Sequence, residues 1–454
     1  MSIFQRRNQG VHPNYAKHTS GSELKPLNRI DHVSIPVSMQ IGPPPKAIVA
    51  KGDQVKVGQV IAEGDAYMSV PVHASVSGEV LEITSEVQSN GRACQVIKIK
   101  NDKRFSTYEQ LAPPKVESKE DFIKAVRDAG LVGLGGAGFP THIKLSPPAD
   151  KPIDYLLVNG MECEPYITSD DWLIRHKAAE IMQGIEAVLK WCEIPQAIIG
   201  LEENTPEALI AMEEALKNSP YKDKIKVKAL SSIYPRGAEK VLIRNFTGRE
   251  VPSGGLPHDV GCLVQNVGTL RQIAEYLNTG MPLVTRIITM AGPAINRPGV
   301  YEVPIGAPIK DLIDLGGGLS KVAAKVIMGG PMMGVAVTSL NSPILKMNNA
   351  ILVFDNESCD LGEELPCIGC GRCVRDCPMR LIPTELDRLS RKFDAENLIL
   401  YGIDDCMECG ACSFICPSKR YLVQHIRIGK QTVRAYRADQ AALAAANSAK
   451  EDKA

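Results

Sequence analysis

The feature that most constrains this chain is a cysteine pattern written twice. The first copy runs Cys367-Ile-Gly-Cys370-Gly-Arg-Cys373-Val-Arg-Asp-Cys377-Pro378. The second runs Cys406-Met-Glu-Cys409-Gly-Ala-Cys412-Ser-Phe-Ile-Cys416-Pro417. Each is C-x2-C-x2-C-x3-C-P, a run whose first three thiolates cover three irons of one [4Fe–4S] cluster while the fourth serves the other cluster. The spacing predicts Cys367, Cys370, Cys373 and Cys416 around one cluster, and Cys406, Cys409, Cys412 and Cys377 around the second. Gly369, Gly371 and Gly410 let the backbone wrap closely and turn N–H groups toward sulfur. Zinc is the competing metal, but it takes four ligands, usually as two C-x2-C pairs. Four cysteines per copy, each copy ending on proline, fit that poorly.

An odd total of 13 cysteines in 454 residues is not a disulfide scaffold. Cys94, Cys163, Cys192, Cys262 and Cys359 lie outside the repeat and read as buried or incidental thiols. Cys163 stands between Glu162 and Glu164, where negative charge disfavours a thiolate. Lys plus Arg and Asp plus Glu are both 52, so the chain lacks the basic excess of a nucleic-acid binder. It has no run of ~20 apolar residues, and its first residues lack the apolar core of a signal peptide. The expectation is a cytosolic chain that meets a membrane only through partners.

The order of elements predicts a multidomain α/β protein. Residues 1–30 read as an extended arm. Residues 31–105 are β-rich and resemble the barrel-sandwich of biotinyl and lipoyl carriers. They have no lysine between Lys56 and Lys98 to carry a prosthetic group. Residues 115–280 alternate strand and helix, which implies a layered, mostly parallel sheet. Thr205 reads as an N-cap there, with Pro206 at the first helical position. Residues 281–350 read as a small β-grasp unit. Residues 351–428 hold the clusters, and Ile382, Leu386 and Leu389 at helical spacing make that domain helical. Residues 429–454 read as a flexible tail that is Ala-rich and polar from 438.

Gly133-Leu-Gly135-Gly136-Ala-Gly138 satisfies G-x-G-x-x-G, but a dinucleotide fold needs a strand before the loop and a helix after it. Here a helical pattern precedes it and Phe139-Pro140-Thr141 follows. What remains is a set of backbone N–H groups able to hold an anion or a planar ring. Gly135-Gly-Ala-Gly-Phe-Pro-Thr141 with Lys144, and Asn159-Gly-Met-Glu-Cys-Glu-Pro165, resemble the flavin- and NADH-binding subunit of respiratory complex I. Tyr234-Pro-Arg-Gly237-Ala-Glu239-Lys240 and Asn266-Val-Gly-Thr269 are similar to later flavin-site segments of that family. With two cluster motifs at the C-terminal end, the closer resemblance is to the RnfC family, from the Rnf ion-translocating electron-transport complex, over residues 10 to 428.

The resemblance implies FMN, two [4Fe–4S] clusters and NAD(H) as substrate. Gly133, Gly135, Gly136 and Gly138 would line the flavin and nicotinamide pocket, and Lys144 would reach the FMN phosphate or ribityl chain. Asn159, Glu162 and Glu164 would bond the flavin edge and the NADH sugar. Phe139 would stack on the adenine side. Gly237, Glu239, Lys240, Asn266 and Thr269 would complete the FMN site. Met161 and Ala238 stand where the complex I protein is acidic, and Pro147 where it has a second aromatic, so the nucleotide grip departs from that pattern. No side chain is expected to be catalytic, because the cofactors carry the chemistry. The implied role is a peripheral subunit on the cytoplasmic face of the membrane. It would exchange electrons between NADH and, indirectly, ferredoxin, with the other Rnf subunits as partners. A soluble flavin and iron–sulfur cobalamin reductase and a non-catalytic ferredoxin-type scaffold remain as alternatives. A diaphorase linked to a hydrogenase or formate dehydrogenase fits less well, since those follow the complex I cluster pattern.

Overall fold

The structure is a computed structural model and describes residues 10–88, 91–359 and 362–451. The first residues of the expected arm and the last three of the tail lie outside those ranges. The rest of the arm runs along the body and contributes β1 (Leu24–Pro26). The barrel follows as β2 (His32–Pro36), β3 (Lys46–Ala47), β4 (Gln54–Val55), β5 (Val60–Glu63), β6 (Val72–His73), β7 (Gly78–Val87) and β8 (Ala93–Asn101). These strands form two sheets, β2-β8-β7-β4 and β3-β5-β6. Ile35, Ile61, Val80, Ile97 and Ile99 are fully buried, as period-two patterning requires of inward-facing positions.

The central layer is a doubly covered parallel sheet. After α1 (Lys119–Asp128) and α2 (Thr141–Lys144) come β9 (Tyr155–Gly160), α3 (Ser169–Trp191), β10 (Gln196–Glu202), α4 (Pro206–Lys217) and β11 (Ile225–Leu230). Then follow α5 (Glu239–Thr247), β12 (Cys262–Asn266) and α6 (Val267–Thr279). The strand order is β11-β10-β9-β12 and every pair is parallel. Leu156, Leu157 and Val158 are all fully buried, the continuous apolar run expected of a strand covered on both faces. The chain leaves β9 toward β10 and β11, then crosses back to place β12 on the other side of β9. That reversal makes a crevice at the carboxyl ends of β9 and β12, where open α/β sheets bind ligands. Thr205 precedes α4 but does not cap it through its side chain. Its hydroxyl donates back to the Glu202 carbonyl at 2.9 Å.

The third unit comprises β13 (Thr285–Ala291), β14 (Gly299–Pro304), α7 (Ile309–Leu315), β15 (Lys325–Met328), β16 (Val335–Ala336) and β17 (Ala350–Phe354). The sheet order is β1-β14-β13-β17-β15-β16, so the arm supplies its edge strand, parallel to β14. β17 lies across the boundary expected at residue 350. All five of its residues are buried, and its pairing with β13 and β15 assigns it to this sheet.

The last unit begins with α8 (Asn356–Cys359) and is helical throughout its described residues. It contains α9 (Arg372–Arg375), α10 (Pro383–Ser390), α11 (Ala395–Leu400), α12 (Ala411–Phe414) and α13 (Leu422–Glu451). Leu386, Leu389, Leu398, Ile403, Ile426 and Val433 make a core separate from the one that joins the first three units. The expected flexible tail is corrected here. α13 begins at Leu422 and runs unbroken to Glu451, because Ala is the best helix former and Val433 anchors the helix in that core. The expected boundary at residue 428 falls inside this helix. Among the described residues no helix is long and apolar enough to cross a membrane.

Candidate functional site

The crevice is built from the loop before α2 and the ends of β9 and β12. The loop closes on itself, with the Gly133 N–H donating to the Phe139 carbonyl at 2.8 Å. Thr269, fully buried, accepts from the Leu134 N–H at 3.1 Å and pins the loop to α6. Gly135, Gly136 and Ala137 are left exposed, while Gly138 is buried and Phe139 half-buried. A Cβ on Gly136 would meet nothing within 4 Å, and one on Gly135 would lie 3.6 Å from Asn266. An open strip of backbone thus faces the switch point. There Asn159 and Asn266 are register partners across the two strands.

Most of the expected polar contacts to a ligand are already bonded within the chain. Asn159 donates to the Gly237 carbonyl at 2.8 Å and accepts from the Met161 N–H at 3.1 Å. Asn266 caps α6 through Gly268 and donates to Asp170 at 2.6 Å. Lys144 pairs with Glu239 at 2.5 Å, at the start of α5, whose N-cap Ala238 provides no side-chain bond. Gly237 is packed tightly. A Cβ there would lie 2.3 Å from the Met161 carbonyl and 3.3 Å from the Cys163 sulfur. Lys240 departs from the expected set, since it points to the cluster unit, 3.9 Å from Asp405.

Glu162 and Glu164 are also engaged. Glu162 accepts from the Ser169 hydroxyl and from the N–H groups of Asp170 and Asp171, at 2.9 to 3.2 Å. It therefore serves as the anionic cap of α3, where the helix dipole favours it, rather than as the ligand-facing carboxylate that the resemblance implies. Burial pushes its pKa up to about 8, against the pull of Lys17. Glu164 accepts from the N–H groups of Met332 and Met333 at 3.1 and 2.9 Å. Burial raises it to about 7, and those two N–H groups oppose the rise. Lys17, from the arm, donates to the Glu162 carbonyl and lies 3.7 Å from Glu202. Lys17 escapes a reading of the sequence, because nothing local marks a lysine in an irregular arm as buried beside two carboxylates. Burial also pushes the Cys163 thiol up to about 12, which agrees with its reading as an inert thiol.

The eight repeat cysteines fall into two groups. Cys367, Cys370, Cys373 and Cys416 line one cavity of about 130 Å³. Cys377, Cys406, Cys409 and Cys412 line a second, tighter one of about 20 Å³. Each group joins three cysteines of one copy to the last cysteine of the other. Among the described residues no three His, Cys, Asp or Glu side chains gather closely enough for a single ion. A cubane differs, since each thiolate binds a separate iron. The cavities fit that donor set. Burial raises Cys373 to about 11 and Cys409 to about 12, so the positive charge of bound iron is what would hold these sulfurs as thiolates.

The two cavities sit differently. Cys367 and Cys370 are exposed, and Ile368 beside them is 70% exposed. Cys409 and Ala411 are buried in a cluster with Val11, Cys163 and Tyr234, with Met332 packed against it. Tyr234, 1% exposed, donates its hydroxyl to the Cys409 carbonyl at 2.6 Å. A Cβ on Gly410 would lie 2.8 Å from the Met332 carbonyl. The second cavity is therefore held against the crevice, and the first opens to solvent. No sequence signal gives this order, because Tyr234 and Cys409 are 175 positions apart.

A parallel sheet with a switch-point crevice, beside two four-thiol cavities, defines an oxidoreductase of the flavin and iron–sulfur type. Comparison with known proteins agrees in each unit. Residues 5–104 match the RnfC barrel sandwich hybrid domain and 126–275 the Nuo51 FMN-binding domain. Residues 287–336 match the SLBB domain and 366–421 the 4Fe-4S dicluster domain. The chain is 41% identical to the RnfC-type subunit of the proton-translocating ferredoxin:NAD(+) oxidoreductase complex of Clostridium ljungdahlii, over 94% of this chain and 93% of that one. It is 40% identical to the corresponding subunit of the Na(+)-translocating complex of Acetobacterium woodii, over 94% and 97%. The Pseudomonas aeruginosa relative, from an ion-translocating oxidoreductase complex, is longer, with 38% identity over 89% of this chain and 52% of that one. The fold resembles a chain of a NAD+-reducing [NiFe]-hydrogenase, with TM-score 0.51 and 21% identity over 69% of this chain and 63% of that one. The chain belongs to the RnfC family of ion-translocating ferredoxin:NAD(+) oxidoreductase complexes.

Proposed function

We propose that this chain is the peripheral subunit through which an ion-translocating complex exchanges electrons between NAD(H) and ferredoxin. The crevice at β9 and β12 takes FMN and NAD(H). The second cysteine group holds the inner cluster and the first group the outer one. The observation that carries this order is the bond from Tyr234 to Cys409, set against the exposure of Cys367 and Cys370. Flavin supplies the exchange between a two-electron hydride and one-electron carriers.

The chain's own residues bind and orient. Gly133, Gly135, Gly136 and Gly138 keep the loop low enough for a planar ring to approach. Lys144 and the first turn of α5 present positive potential to a phosphate, with Glu239 orienting the lysine. Asn159, Asn266, Gly237 and Thr269 fix the walls, and Glu162 and Glu164 hold the segment between them. Phe139 stands at the rim for the adenine. Cys367, Cys370, Cys373 and Cys416 ligate the outer cluster, and Cys406, Cys409, Cys412 and Cys377 the inner one.

The finer architecture follows the same reading. It is an arm, a barrel-sandwich, a flavin-binding α/β domain, a β-grasp domain that includes β17, and a helical cluster domain that extends through α13. The protein sits on the cytoplasmic face through the other subunits of the complex, and the ions cross in those. An anaerobic titration with NADH, followed by absorbance and low-temperature EPR, tests the proposal. Bleaching of a flavin band together with reduced-cluster signals is expected. Reduction by dithionite but not by NADH would overturn it.

A further inference from the structure

Tyr234 is the side chain that joins the crevice to the inner cluster's loop. Its backbone is fixed by paired hydrogen bonds with Val11, 2.7 and 3.0 Å long. Its ring is buried with Cys163 and Cys409. Its hydroxyl donates to the Cys409 carbonyl at 2.6 Å, inside the protein. Gly237, three residues on, packs against Met161 and Cys163 at the end of β9. One side chain thus spans from the strand ends to the peptide that links Cys409 to Gly410.

That peptide has a second end. Its N–H belongs to Gly410, which turns the loop with φ +77° and starts α12. A donor on the carbonyl polarises the peptide and makes its N–H more positive, since hydrogen bonds in series strengthen one another. Positive potential next to a cluster favours its reduced form, and hydrogen bonding around the sulfurs is one of the means by which a protein sets cluster potential. The outer cluster's loop has the same spacing, but Cys370, the counterpart of Cys409, is exposed.

We propose that Tyr234 is a positioning residue for onward electron transfer: its hydroxyl, bonded to the Cys409 carbonyl, holds the inner cluster's loop against the crevice and raises that cluster's potential above the value it would have without the bond. This rests on the assignment of [4Fe–4S] clusters to the two cavities and is independent of whether NADH is the donor.

The test is a potentiometric titration of the reconstituted full chain with dithionite and mediators, read by EPR. Using dithionite keeps a failure of the NADH reading distinct from a failure here. The Cys370→Ala background removes the outer cluster's signal, so the remaining one belongs to the inner cluster. Tyr234→Phe deletes one oxygen and leaves the ring. The inner cluster's midpoint is expected to move negative, with a roughly three- to tenfold lower reduced-to-oxidised ratio at fixed potential, the range of one hydrogen bond. In the chain with all eight cysteines, the outer cluster's midpoint is expected to stay in place. A fluorinated tyrosine at position 234 keeps the packing and strengthens the donor, and should move the inner midpoint positive. It also covers the case in which Tyr234→Phe fails to assemble. An inner midpoint unchanged by either replacement, or moved the same way by both, would overturn the proposal.

Discussion

The two cysteine loops share one spacing and differ in almost everything around them. The first loop shows Cys367 and Cys370 to solvent beside exposed Ile368. The second lies against the body, its carbonyl bonded by Tyr234, its Glu408 held by Arg427 and Lys430, and the carbonyl of Cys406 bonded by Lys430. Spacing specifies which sulfurs share a cluster. Contacts from distant parts of the chain decide which cluster is a relay and which is a port. A protein can therefore duplicate one motif and assign the copies different work by burying only one of them.

The contrast can be broken most severely at its buried end. Cys409→Ala removes a ligand from the relay position. It should abolish reduction of a one-electron protein acceptor and leave NADH-driven flavin bleaching. Stability should fall as well, because metal–ligand binding free energy is folding free energy. EPR and thermal unfolding of the purified variant check both. Cys370→Ala should do less. Flavin and inner-cluster reduction by NADH persist, while transfer to the protein acceptor is lost. Unimpaired onward transfer in this variant would end the port reading.

Leu386→Ala acts on the support behind the relay, since Leu386 is fully buried and lines the inner cavity. A loss of about 2–5 kcal/mol is expected from its cavity, with inner-cluster iron released before outer-cluster iron in a chelator time course. The smallest effect concerns Glu164. Its folded pKa of about 7 lies above the ordinary carboxylate value, so the folded state holds its proton where the unfolded state has lost it. The stability it contributes is full below about pH 4.5 and is lost as pH rises to about 7, by up to about 3 kcal/mol. Glu164→Gln should flatten that part of the pH profile of thermal unfolding. An unchanged slope between pH 5 and 7.5 would show that the carboxylate is solvated.

Much of this is legible in the sequence where the signal is local. β11 has the bounds that its residues predict, Ile225–Leu230, because an apolar strand between turns carries its own punctuation. The crossed cysteine grouping also follows from spacing alone. What fails to show is long-range. β17 pairs on two sides, yet its sequence contains nothing that marks the partners. Glu162 reads as a ligand in its motif and becomes a helix cap only once α3 is placed. The Ala-rich end reads as frayed because polar composition hides helix propensity, and Val433, Ile426 and Leu389 are what hold α13 in place.

The arm has a consequence for how the molecule is made. Tyr15 bonds the carbonyl of Ser232, 217 positions further on, and β1 completes its pairing only at Val300–Glu302. A ribosome that releases the chain from its N-terminus therefore delivers the arm long before its seats exist. Such distant pairings form slowly, since loop-closure entropy must be met first. The earliest segment synthesised would be among the last to settle, closing over the carboxyl edge of the sheet after most of the polypeptide has emerged. Biogenesis thus has an interval in which that edge stands open.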